Sequence, residues 1–369
     1  MFNYEIRINL AFKKFDWLLY ISICLLIVLG LVIIYSVAKG SGTEQSLLNF
    51  KKQIVFFILA IALILVIAVF FDYRILIKYS TILFGLAIIL LIAVLFFGKT
   101  IRGTTGWFKL GSLAFQPVEF VKIFLIVYLS KFFSDKAKYI NQFKYLILSS
   151  LGVILVTILI VLQPDFGTAL IIFILWLILI LLTGIKKSHF VLLICLMIIS
   201  SLLLWFFILQ DYQKQRISVF LNPNLDPLGR GYNASQAKIA IGSGQLFGKG
   251  LTFGSQSQLK FLPESQTDFI FAVLAEELGL AGIVFLLGLL SFMFFRLIKI
   301  AQNSRDNFAL YLVVSIIALF FIQTVINIGG NLGLLPITGI TLPFVSYGGS
   351  SLIANSIFIG LIESIVIRE

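Results

Sequence analysis

Phe261 to Leu290 reads FLPESQTDFIFAVLAEELGLAGIVFLLGLL. The run from Asp268 to Ile298 would extend about 46 Å as a helix at 1.5 Å per residue. That exceeds the roughly 30 Å of hydrocarbon in a bilayer. Yet the stretch begins among four carboxylates, Glu264, Asp268, Glu276 and Glu277. Charges at membrane depth are costly, face the protein interior and commonly mark function. The stretch from Gly279 onward is long enough to span alone, which places Asp268 to Glu277 at or above the interface. On an ideal helix Glu276 falls about 80° round from Asp268, and Glu277 falls opposite. A structural role, capping loops or holding water, is therefore expected of Glu276 and Glu277.

The composition extends this reading to the whole chain. Of 369 residues 60% are hydrophobic and 12% charged, and the mean hydropathy is +1.10. No soluble domain of this length hides so much apolar surface, so the chain is expected to be one all-α polytopic membrane domain over 1–369. Apolar runs fall near 17–36, 53–71, 79–98, 117–133, 145–163, 166–184, 189–209, 269–298, 308–328 and 349–367. They predict ten spans with both termini on one side. With that side cytoplasmic, fifteen Lys and Arg fall on inside segments and six on short outside loops, as the positive-inside rule requires. Basic loops, not nucleic acid, then account for the net charge of +12. The run beginning at 17 lacks a small-residue cleavage site and is read as a retained helix. Cys24, Cys195 and His189 supply neither a disulfide framework nor a Cys/His metal site.

In this orientation the fourth, sixth, eighth and tenth spans all start on the outside. Their starts carry Pro117, Glu119 and Lys122; Pro164 and Asp165; Asp268; and Gly348 to Ser351. Any one of these is ordinary N-terminal capping. Together they put three acidic starts and one Gly-Ser start on one face. The external loop, about 210–267, is the only sizeable polar segment and is basic through Lys214, Arg216, Arg230, Lys238, Lys249 and Lys260. Within it GSGQLFGKG (242–250) fails the Walker pattern, although a glycine turn with a lysine suits a pyrophosphate. Segment 329–351, rich in glycine with two prolines, reads as irregular backbone, which is tolerated at a membrane face only around a protein-lined cavity.

Six segments carry a resemblance: GWFKLGSLAFQPVEFVK, QPDFGTA, DPLGRGYNASQAKIAIGSG, FGKG, FLPESQTDFIFAVLAEELG and LPITGITLPFVSYGGSS. In order and over nearly the whole length, they resemble the SEDS family (RodA, FtsW, SpoVE), most of all its RodA branch. The resemblance implies a peptidoglycan glycosyltransferase in the bacterial plasma membrane that polymerises lipid II on the external face during cell elongation and releases undecaprenyl pyrophosphate. It implies a class B penicillin-binding protein as partner, with other elongation-complex proteins and membrane lipid around it. The family's external acid falls on Asp268, the expected general base of an inverting transfer. Its buried acid–lysine cluster falls on Glu119, Lys122 and Asp165. Arg216, Arg230 and Lys249 are candidates for the substrate pyrophosphates. The competing readings are a lipid II flippase and a non-catalytic scaffold. A flippase calls for two related halves with a midplane site, and no such repeat is visible. The sequence names no cofactor; a divalent cation, magnesium or manganese, is the one candidate, and Asp268 alone makes a poor cage for it.

Overall fold

The structure, a computed structural model, describes residues 12–101, 103–111, 113–139, 142–203, 206, 214, 218–222, 225–226, 229–259 and 261–369. Each apolar run forms a helix: α1 (Trp17–Ser41), α2 (Glu44–Phe70), α3 (Ile75–Phe97), α4 (Pro117–Lys136), α5 (Phe143–Val161), α6 (Phe166–Leu182) and α7 (Lys187–Leu203), then α10 (Ile270–Asn303), α11 (Asn307–Leu332) and α12 (Gly349–Arg368). Seven of these, α1, α2, α3, α5, α10, α11 and α12, are long and apolar enough to cross a bilayer by themselves. The other three differ for simple reasons. α6 and α7 have 17 residues each, and α4 carries Glu119, Lys122, Lys131, Asp135 and Lys136. The chain is a mostly helical membrane protein.

Two connections hold more structure than the sequence suggested. Between α3 and α4 lies a three-stranded antiparallel sheet, β1 (Lys99–Ile101), β2 (Thr104–Leu110) and β3 (Leu113–Phe115), in the order β1-β2-β3. Its turns use Gly103 and Gly111 at φ 79° and 61°, where a side chain would be strained. Within the long loop, α8 (Arg230–Ser243) buries Ala237 and Ala240 against α10 and α11, and the four-residue α9 (Ser255–Gln258) follows. Small apolar residues three apart in RGYNASQAKIAIGS supply that buried stripe.

Helices α11 and α12 are largely buried, while α2 and α3 expose much of their surface. The helix pairs α12–α2, α3–α4, α10–α1 and α11–α4 pack against one another. At the end of α1 where the chain enters, Arg296 of α10 bonds Asp16 Oδ2 at 2.6 and 3.0 Å, and the Asp16 N–H donates to Glu363 Oε2 of α12 at 3.0 Å. This buried polar knot ties three helices at one end of the bundle.

Helix α10 is broken at Gly279, with φ 66° and ψ −160°. The break leaves the carbonyls of Glu276 and Glu277 and the N–H groups of Leu280 and Ala281 without helical partners. Residues 245–250 supply them. Leu280 and Ala281 donate to the carbonyls of Gln245 and Leu246 at 2.9 and 3.0 Å, and Lys249 and Gly250 donate from their N–H groups to Glu276 and Glu277 at 3.0 Å each. Such irregular backbone in a membrane protein persists only where protein satisfies it. The approach is backbone to backbone: a Cβ on Gly248 would run into the Glu277 carbonyl, and one on Gly279 into the Gly248 nitrogen. Gly244 and Gly248 thus serve contact with a helix, and the N–H groups of Lys249 and Gly250, which could have cradled an anion, are occupied.

Candidate active site

The starts of α4, α6, α10 and α12 open onto one cavity of about 730 Å³. Glu119, Lys122, Asp165, Asp268 and Ser350 all line it. Four positive helix ends therefore converge on the same space, which favours negative charge there. Lys52 of α2, Lys109 of β2 and Lys238 of α8 join the wall, as do Glu264 and Trp107. The described lining is balanced between lysines and carboxylates.

Glu119 and Lys122 sit three apart on α4 and form a buried bidentate pair, with Nζ 2.9 Å from Oε1 and 2.8 Å from Oε2. Asp165 stands nearby without bonding Lys122. It caps α6, accepting from the Thr168 N–H at 3.0 Å and from Thr168 Oγ1 at 2.9 Å. Burial pushes the Asp165 carboxyl above the usual carboxylate range, against the Thr168 hydrogen bonds and the Lys122 charge, and Glu119 adds to the rise. The three groups share one wall as a tight pair with a third charge beside it, rather than as a bonded triad.

Asp268 lies one residue outside the capping position of α10, which is Phe269 and makes no side-chain cap. Helix capping there falls to Asn331 of α11, whose Oδ1 accepts from the Ala272 N–H at 3.2 Å. The Asp268 carbonyl accepts from Asn327 and Asn331 Nδ2 at 3.1 and 2.9 Å. A Cβ on Gly339 would come 3.7 Å from Asp268 Oδ2, so the carboxylate stands beside that bare glycine on the cavity wall.

Residues 16–369 match the model of a family described as cell cycle protein, spanning FtsW, RodA and SpoVE. The chain belongs to the FtsW/RodA/SpoVE family. This FtsW/RodA/SpoVE chain is 37% identical over 346 residues to peptidoglycan glycosyltransferase MrdB of Escherichia coli strain K12, covering 92% of each. It is 38% identical over 362 residues to stage V sporulation protein E of Bacillus subtilis strain 168, covering 95% of this chain and 96% of the relative. Among solved structures it resembles a chain of a peptidoglycan synthase complex that coordinates polymerization and crosslinking, with TM-score 0.81, 30% identity and coverage of 95% and 97%. It also resembles the rod shape determining protein RodA of Thermus thermophilus, with TM-score 0.69, 27% identity and 96% of each chain covered.

In this FtsW/RodA/SpoVE chain the remaining sequence candidates fall elsewhere. Arg216 lies outside the described residues, and Arg230 opens α8 with its side chain undescribed. Lys249 is absent from the described cavity wall. Its ammonium bonds Glu276 Oε1 at 2.9 Å and Ser255 Oγ at 2.8 Å. Glu276, fully buried, also accepts from the N–H groups of Gln256 and Ser257 at 2.9 and 3.1 Å, and so caps α9. Glu277 accepts from Ser36 Oγ at 2.7 Å and Gln258 Nε2 at 3.1 Å. These two acids tie loop to helix. Lys249→Ala should lower the thermal midpoint of the purified protein, with a loss of about 1–3 kcal/mol for a buried carboxylate that keeps two backbone donors. An unchanged midpoint with reduced lipid II binding would return Lys249 to the substrate.

Asn327 and Asn331 escaped the sequence reading, although two amides at i and i+4 in an apolar helix are a visible signal. Among the described residues no three of His, Cys, Asp and Glu come together.

Proposed function

We propose that this chain polymerises lipid II into glycan strands on the external face of the bacterial plasma membrane, by inverting glycosyl transfer. The observation that carries the proposal is the meeting of Asp268 with Glu119, Lys122 and Asp165 around one cavity. Relatives named peptidoglycan glycosyltransferase over most of the chain supply the reaction class. In the transfer, the 4-hydroxyl of the acceptor GlcNAc attacks the anomeric carbon of the donor. Asp268 takes the hydroxyl proton, since a hydroxyl is a weak nucleophile at neutral pH. The C1–oxygen bond to the pyrophosphate breaks, the leaving group departs as undecaprenyl pyrophosphate, and the α-linked donor becomes a β-linked product. Charge grows on that leaving group, so fixed cations and helix N-termini lower the barrier. Lys52, Lys109 and Lys238 line the cavity wall and would supply them; Arg216 and Arg230 are the further candidates from the sequence. A class B penicillin-binding protein, docked near α10 and α11, would cross-link the emerging strand.

The deciding experiment supplies lipid II to purified protein and its partner in detergent, where no transbilayer movement exists. Polymer supports a transferase; lipid II transport in vesicles without polymer would mean a flippase.

The same reading sets ten spans with both termini cytoplasmic. A reporter fused after Glu369 should be active only in the cytoplasm. External activity would put the cavity on the wrong side for lipid-linked donors.

A further inference from the structure

The backbone that carries Asp268 is held by its carbonyls. The Gln266 carbonyl accepts from the Tyr347 N–H at 2.8 Å. The Thr267 carbonyl accepts from Ser346 Oγ at 2.8 Å, and the Asp268 carbonyl from both asparagines of α11. Three successive peptide groups are thus fastened to α11 and to segment 340–347.

The two asparagines are 4% and 2% exposed. Asn327 Nδ2 also donates to the Ile340 carbonyl at 2.8 Å, and Asn331 Nδ2 to the Asn327 carbonyl at 2.8 Å. Each side-chain amide has two N–H bonds, and each of these amides makes two donations, one of them to Asp268. Amides inside an apolar helix are costly unless their groups are met. Here one donation from each is spent on the same peptide carbonyl, while Asn327 Oδ1 finds no partner among the described residues. Segment 340–347 joins the same network, through the Tyr347 N–H on Gln266 and the Ile340 carbonyl on Asn327.

We propose that Asn327 and Asn331, aided by Ser346, are positioning residues that fix the peptide plane of Asp268 and so aim its carboxylate into the cavity. This rests on the reading of Asp268 as general base. A base acts only within hydrogen-bond reach of its proton, and a misplacement near 1 Å costs on the order of 100-fold in rate. Neither asparagine touches the reacting atoms. Their effect is carried through one carbonyl.

Asn331→Asp separates the roles of that side chain. It keeps an oxygen for the Ala272 N–H and turns the donor that faces the Asp268 carbonyl into an acceptor. Ser346→Ala withdraws the hydroxyl from the Thr267 carbonyl, and with it the acceptor of the Leu342 N–H, without adding charge, and serves should Asn331→Asp misfold. Ser315→Ala is the control, since its buried hydroxyl bonds the Tyr311 carbonyl within α11. The assay follows glycan polymer from lipid II with purified full-length protein and partner, beside Asp268→Asn. Expected for Asn331→Asp is a lowered thermal midpoint, since its buried oxygen would face two carbonyls, together with a fall in kcat per folded molecule on the order of 10–100-fold with KM for lipid II held, and for Ser346→Ala a smaller fall in kcat per folded molecule with KM held. Ser315→Ala should match the wild type. Adding Asn331→Asp to Asp268→Asn should cause no further loss. If Asp268→Asn is inactive while Asn331→Asp and Ser346→Ala turn over at the wild-type kcat, the positioning role is overturned and the base stands. A loss that only tracks the folded fraction overturns it too. Polymer from Asp268→Asn at the normal rate overturns both.

Discussion

Asp268→Asn is expected to fold, reach the membrane, bind its transpeptidase partner and make almost no glycan. Asparagine has nearly the same shape, and the main-chain carbonyl that meets Asn327 and Asn331 is untouched. What disappears is the oxygen that accepts a proton. General-base catalysis contributes typically about 10²–10⁴-fold, and the residual rate should fall by that factor. A capping role predicts the opposite, because asparagine is itself a good N-cap, and the capping position here is Phe269. Glu264→Gln and Glu277→Gln should retain far more activity. Glu264 lines the cavity from the preceding turn, and Glu277 is taken up by Ser36 and Gln258. Substantial polymer from Asp268→Asn would send the search for a base to Glu264, since Glu276 is committed to the α9 loop.

Lys122→Met should be the most destabilising single change in the site. It leaves Glu119 buried with no counter-charge, a loss of about 3–5 kcal/mol for a broken buried pair. Asp165 sharpens the effect, since its own charge lies close enough to feel both partners. The double change Glu119→Gln with Lys122→Met should recover most of the thermal midpoint, because a neutral pair of similar volume carries no stranded charge. Activity should stay low in both variants if the pair also shapes the cavity. A Lys122→Met protein with a wild-type midpoint would show that water reaches Glu119 and that the pair is not structural.

The helices and the convergence of their starts were legible because helix-start chemistry is local. Pro117 with Glu119, Pro164 with Asp165, and Gly348 to Ser351 announce N-termini from their own neighbours. Lys249 was not legible in the same way. A lysine among glycines suits an anion, and nothing nearby in sequence says that Glu276, 27 residues on, will claim it. The glycines misled for a related reason. Their freedom is needed for close approach, but to the backbone of a broken helix rather than to a ligand. Helix α8 was hidden in a polar segment because its buried stripe is made of alanines, which add little to hydropathy. The clamp on Asp268 joins residues 59 and 63 apart, a pairing that only the tertiary fold decides.

The break at Gly279 has a mechanical side. The part of α10 beyond it must follow the bilayer as that thickens, thins or tilts the helices within it. The part before it is fastened to α11 and the 340–347 segment through Ala272, Asp268 and its neighbours. A glycine joint between the two, bridged by loop hydrogen bonds instead of helical ones, would let the membrane-embedded shaft swing without turning the carboxylate. Such a joint would isolate the cavity from the flexing of the bilayer. Turnover should accordingly vary little across bilayers of different acyl length, and a steep dependence would mean that the shaft drives the site.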